Sequence, residues 1–163
     1  MQLRDATADD APAILEIYHH QVLTSTATFD LVPRTLDEQV EWLTSRAGAH
    51  VVMVAVDEAD GQVAGFGALS AYRERAGYAT TVEDSVYVSE HHQGRGVGRL
   101  LLAELVERAR SHGFHALMAK IVGGHEVSIG LHRNCGFEIV GTEREVGRKF
   151  GRWLDVVLME MLL

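Results

Sequence analysis

The stretch Val86–Gly98, reading Val-Tyr-Val-Ser-Glu-His-His-Gln-Gly-Arg-Gly-Val-Gly, limits what this chain can fold into more than any other. A β-branched run gives way to a turn punctuated by glycines, and a strongly amphipathic helix follows from near Gly98. A strand, a bare turn and a helix N-terminus leave a nest of backbone N–H groups without partners. The helix dipole adds positive potential, so the guest that suits the turn is a phosphate or pyrophosphate. The spacing narrows the carrier. A dinucleotide fingerprint starting at Gly94 needs glycine at position 99, which is Arg99, and one starting at Gly96 meets Leu101. No Lys-Ser or Lys-Thr pair follows the last glycine, so the P-loop reading fails too.

The rest of the chain supplies a context of alternating elements. A short strand at Gln2–Asp5 precedes a helix capped at Thr7, with Ile14, Ile17, Tyr18 and Val22 on one face. Polar residues 24–28 form a loop carrying Phe29, and Thr35 with Glu38 makes a capping box for a second helix through Leu43. Strands at Val51–Val56 and Val63–Tyr72 flank an Asp60-Gly61 turn, and a long strand runs over Tyr78–Ser89. After the glycines, Leu101, Leu102, Leu105, Val106 and Ala109 oppose Glu104, Glu107, Arg108 and Arg110, and the helix stops at Gly113. Phe114–Val122 is a strand, His125–Asn134 a helix, and Phe137–Val146 and Trp153–Met161 are the final strands. The order βααβββαβαββ predicts an α/β fold, one mixed sheet with helices on its faces, and a single domain over residues 1–163.

Composition enters as a filter. No apolar run approaches the roughly 20 residues of a membrane span, and no secretory apolar core follows Met1, so no membrane partner is expected. The lone Cys135 fits a reducing, cytoplasmic setting. A formal charge of −8 argues against nucleic acid. His91-His92 and His19-His20 are adjacent pairs that do not share a helix face, and His125-Glu126 lacks a second histidine, so no metal is expected. Cys135 has no catalytic partner in sequence.

Gln93-x-x-Gly96-x-Gly98 between a strand and a helix resembles the acyl-coenzyme-A pyrophosphate loop of the GCN5-related N-acetyltransferase (GNAT) superfamily. Ser128–Phe137 resembles the helix and "GF" strand start that follow that loop, and the element order matches throughout. Thr81–Val88 (TVEDSVYV) and Lys149–Asp155 (KFGRWLD) are similar to segments of the phosphinothricin and methionine sulfoximine acetyltransferase subfamily. The resemblance departs at one place: His125 stands where the subfamily usually has asparagine, behind an unusual Gly123-Gly124.

This resemblance implies acetyl-CoA as co-substrate, a homodimer, and direct transfer to the α-amino group of a small amino acid or analogue. Gln93, Gly94, Arg95, Gly96, Val97, Gly98 and Arg99 would hold the coenzyme, with His125 and Ser128 at the next helix. The backbone of Val86, Tyr87 and Val88 would pair with the pantetheine arm, and one N–H would polarise the thioester carbonyl. Glu83 matches the glutamate proposed as base, which a mostly protonated amine requires. His132 matches the subfamily histidine that replaces the superfamily's tyrosine; it would assist the leaving thiolate or contact the substrate. A carboxylate-bearing acceptor calls for an arginine fork, which makes Arg73 and Arg75 candidates, with Tyr78, Phe29 and Lys149 as walls or rim. Other small-molecule or protein amines, and a non-catalytic acyl-CoA sensor, are the alternatives.

Overall fold

Val52 to Val56 is an almost uninterrupted apolar run because the strand it forms is covered on both faces. Val52 and Val54 pack toward one pair of helices, while Met53 and Ala55 pack toward a third helix on the opposite side. The whole fold follows this division. The computed structural model describes residues 1–46 and 48–163. In chain order the elements are β1 (Gln2–Asp5), α1 (Ala11–Thr24), α2 (Leu36–Thr44), β2 (Val52–Val56), β3 (Val63–Ala71), β4 (Thr81–Val88), α3 (Val97–Ser111), β5 (Ala116–Val122), α4 (Glu126–Asn134), β6 (Glu138–Lys149) and β7 (Arg152–Leu162). The sheet has the strand order β1-β2-β3-β4-β5-β7-β6. Among the described residues only β4 and β5 run parallel, as the α3 crossover between them requires.

One core joins α1 and α2 to the sheet through Ile14, Val22, Leu43, Val54 and Phe66. The other joins α3 through Leu101, Leu102 and Leu105, each fully buried, to Met53, Leu117 and Met159. Gly65 and Gly67 let α3 come close to β3: a Cβ at Gly67 would sit 2.9 Å from Leu105 Cδ1, and one at Gly65 3.3 Å from Leu101 Cδ1. This approach sets the α3 N-terminus over the end of β4. The Thr35–Glu38 capping box forms as its sequence requires, with Thr35 N donating to Glu38 at 2.7 Å and Glu38 N donating to Thr35 Oγ1 at 3.2 Å.

Among the boundaries that differ from the sequence expectation, two lie close to the site. Tyr78, the expected first residue of β4, instead closes a 3₁₀ turn over Ala76–Tyr78, and the strand begins at Thr81, because Tyr78 N and Ala79 N bond back to Arg75 O and Ala76 O. The last hairpin is longer than its apolar pattern: polar residues 147–149 pair with 152–154 around a turn at Phe150-Gly151. Both turn residues have positive φ, the geometry that matches strand twist.

Candidate active site

β4 and β5 pair only at Thr81–Ala116, Val82–Leu117 and Glu83–Met118, and then part. On its other side β4 stays bonded to β3 through to Ser89, whose N–H donates to Ala64 O at 2.9 Å. Backbone direction alternates along a strand, so Ser85 and Tyr87 direct their N–H and C=O to β3. Those of Val86 and Val88 face the gap between the parted strands. Tyr87 differs from its neighbours in this respect, since its backbone serves β3 and its ring packs between Tyr18 and Phe66. The gap opens into a cavity of about 1220 Å³.

One end of the cavity is the glycine turn. Gly94 and Gly96 have φ of 73° and 80°, and nothing lies within 4 Å of where their side chains would begin. Gly96 caps α3, and the first intrahelical bond comes from Leu100 N, which leaves the N–H groups of Val97, Gly98 and Arg99 without helical partners. Gln93, Gly94, Gly96, Val97, Gly98 and Arg99 all line the cavity, and so do His125 and Ser128 across from them. Arg95 does not; it turns outward toward Asp57 at 3.5 Å. His125 Nε2 meets Thr26 Oγ1 at 2.8 Å, tying the loop after α1 to the start of α4.

Glu83 stands at the apex of the fork, the last β4 residue paired with β5. Its carboxylate pairs with Lys120 at 2.7 Å, and Lys120 lies over the Tyr72 ring. Burial raises the Glu83 pKa above the ordinary carboxylate range, and Lys120 only partly offsets that rise. Arg73 reaches the same mouth. It donates to the Tyr72 and Tyr78 hydroxyls at 3.2 and 3.4 Å and stacks on both rings.

His132 lies across the gap, buried on α4 and edge-on to Phe137. Nδ1 is 2.7 Å from Ser128 O and Nε2 is 3.1 Å from Asp84 Oδ2. A carbonyl only accepts, so Nδ1 carries a proton, and a carboxylate at Nε2 draws a second. Burial alone would lower the imidazole pKa, but the hydrogen bond and charge of Asp84, with Ser128 O, outweigh it and hold it above the ordinary value. Glu83 and Asp84 point to opposite faces of β4, so Glu83 and His132 share the cavity only because the strands part there.

Of the acceptor-side candidates, Phe29 and Arg73 line the cavity, whereas Arg75, Tyr78 and Lys149 do not. Tyr78 stands behind Arg73 as its hydrogen-bond and stacking partner. Lys149 is only 2% exposed, and its Nζ donates to Thr28 O at 2.9 Å. It is a strut between the β6–β7 hairpin and the Phe29 loop rather than a rim, and burial lowers its pKa. Phe29 itself lies against Gly147, where any Cβ would run into the ring. Sequence reasoning missed Asp84 and Lys120. Both carried a signal: Asp84 interrupts the apolar face of Val82, Val86 and Val88, and Lys120 is the one charge within Ala116–Val122. Among the described residues no group of three or more His, Cys, Asp or Glu side chains could hold a metal.

A parted parallel strand pair with a glycine turn at its open end fits a slender chain ending in a pyrophosphate. The acetyltransferase (GNAT) domain family matches residues 3–158. The chain belongs to this family. An L-methionine sulfoximine/L-methionine sulfone acetyltransferase of Pseudomonas aeruginosa is 42% identical over 161 residues, covering 99% of this chain and 94% of that protein. A phosphinothricin N-acetyltransferase of Streptomyces coelicolor is 39% identical, covering 98% and 95%. The structure of a putative acetyltransferase from Salmonella typhimurium with its cofactor acetyl-CoA superposes with a TM-score of 0.96 at 38% identity, covering 100% of this chain and 94% of that one. This chain is an acetyl-CoA-dependent N-acetyltransferase with the mixed α/β sheet of its family.

Proposed function

We propose that this acetyltransferase acetylates the α-amino group of a small amino acid or analogue of the phosphinothricin, methionine sulfoximine or methionine sulfone type. Acetyl-CoA supplies the activated acetyl group, and the transfer is direct, within a ternary complex. The N–H groups of Val97, Gly98 and Arg99 hold the pyrophosphate, and the gap-facing backbone of Val86 and Val88 holds the pantetheine arm and polarises the thioester carbonyl. Glu83 takes the amine proton through one water. His132, held protonated, places a fixed positive charge beside the departing sulfur and steadies the thiolate as it forms. Arg73 fixes the acceptor carboxylate under Phe29.

The observation that carries this reading is the position of Glu83, at the point where β4 and β5 part and in one cavity with Arg73. The names of the relatives support the acceptor class. Thiol release from acetyl-CoA across an amine panel tests it. The reading expects release with methionine sulfone, methionine sulfoximine or phosphinothricin; release with polyamines or aminoglycosides alone contradicts it, and no release with any amine favours a sensor.

We further infer a homodimer in a reducing, cytoplasmic setting, with all 163 residues forming one domain. Exposed Ile139, Val140, Val146 and Trp153 on the β6–β7 edge support the dimer, and the half-buried thiol of Cys135 is compatible with the compartment. Light scattering should give twice the chain mass; a monomer at micromolar concentration contradicts the dimer.

A further inference from the structure

On the Glu83 face of β4 lies a second, smaller chamber of about 170 Å³, between α2 and the β3–β4 pair. Two donors in it are unused. Gln39 is 1% exposed, and its Oε1 accepts from Arg34 at 3.4 Å, which fixes the amide so that Nε2 turns elsewhere; Nε2 has no partner among the described residues. Arg46 donates through Nη1 to Leu69 O at 2.8 Å and through Nη2 to Ser70 Oγ at 2.9 Å, but its buried Nε has no partner among the described residues.

The charge balance points the same way. The Arg46 and Arg34 guanidinium groups both stack on the Trp42 ring, at 4.2 and 5.3 Å. Arg34 has Asp30 at 3.7 Å, while no carboxylate pairs with Arg46 among the described residues. Two like charges on one indole, with two idle donors beside them, form a site that lacks an oxygen-bearing, electron-rich guest.

The chamber adjoins the proposed acceptor position. Ser70 is the cross-strand partner of Glu83, so their side chains are neighbours on one face. Ser85 and Tyr87, further along that face, line both the chamber and the large cavity. The shared wall at Ser85 and Tyr87 sets the chamber with Gln39 and Arg46 beside a molecule whose amine is at Glu83.

We propose that this chamber receives the distal oxygen-bearing group of the acceptor, a sulfonyl, sulfoximine or phosphinate, with Gln39 Nε2 and Arg46 Nε as its donors. The inference rests on the amino-acid acceptor proposed above and adds the feature that selects an oxidised or anionic tail over a thioether. Methionine offers those donors no oxygen, so it leaves both bonds unmade, and a site built to donate rejects an analogue that cannot accept.

The test compares methionine sulfone with methionine in the wild type, Gln39→Met and Arg46→Met. The preference for the sulfone, read as the ratio of kcat/KM values, should fall at least tenfold in Gln39→Met, through the KM for the sulfone. Arg46→Met should act in the same direction; if that variant does not fold, Gln39→Met decides. Equal losses on both acceptors, or an unchanged ratio, overturn the proposal. Calorimetric binding of methionine sulfone separates this claim from the proposed function: tenfold weaker binding in Gln39→Met without any acetylation leaves the chamber standing and sinks the reaction. A free anion is distinguished with formate at constant ionic strength. If formate raises the melting temperature in the wild type but not in Arg46→Met, while the KM for methionine sulfone is the same in all three proteins, the chamber holds an anion and not the acceptor tail.

Discussion

Asp84 and His132 share one hydrogen bond across the mouth of the strand fork, with Nε2 and Oδ2 3.1 Å apart and both side chains buried. Because Ser128 O occupies Nδ1, His132 has no nitrogen left to present to a ligand while this bond holds. In the proposed mechanism His132 therefore acts as a positioned cation, since a direct proton transfer to the thiolate would first require the pair to open.

Asp84→Asn tests that state. An asparagine amide can donate to a neutral Nε2, so the ring loses its reason to hold a second proton. His132 in the wild type should titrate above its ordinary value by NMR of the ring, and in Asp84→Asn below the wild-type value. Equal titration in the two proteins refutes the pairing.

The same pair makes stability depend on pH. The folded pKa of His132 is raised, so its contribution is complete below about pH 6.5, the ordinary histidine value, and fades as pH rises through the folded pKa. The melting temperature of the wild type should decline over that upper window, and Asp84→Asn should flatten the decline. Asp84→Ala, which strands a buried partner, should cost about 3–5 kcal/mol by denaturant unfolding.

Lys120→Met should shift the pH–rate profile in a defined direction. Burial already raises the Glu83 pKa, and Lys120 opposes that rise. Without the ammonium, Glu83 stays protonated to higher pH, so the acid limb of kcat/KM should move upward. A limb that stays in place would mean that a group other than Glu83 is being titrated.

Gly96→Val places a β-branched residue at φ 80°, a region that costs such a residue roughly 1–2 kcal/mol. The KM for acetyl-CoA should rise about tenfold, the equivalent of that strain, with the acceptor KM little changed. Equal effects on both substrates would locate the damage in the fold rather than in the turn.

Much of this was legible in the residues. The period of α3, the Thr35–Glu38 box and the Gly94–Gly98 spacing are local signals, and they produced a correct element order and the end of the cavity that holds the turn. What the sequence concealed depends on contacts far apart in the chain. Lys149 looked like a rim residue because nothing local shows that it bonds to Thr28, 121 positions away. Arg95 reads as one of a set with its neighbours because they form one turn, yet a turn sends adjacent side chains in different directions, and Asp57 takes this one. Asp84 was readable as a charge on an apolar face, but its partner lies 48 residues further on. Trp42, Arg34 and Arg46 look like an ordinary solvated helix edge until the fold stacks both arginines on one ring.

In the proposed reaction Glu83, at the apex of the β4–β5 fork, removes the amine proton. Steady-state turnover of Glu83→Gln on methionine sulfone at saturating acetyl-CoA tests it most directly. A base at Glu83 requires at least a tenfold loss of kcat with the KM for acetyl-CoA essentially that of the wild type. Turnover within twofold of the wild type would contradict it.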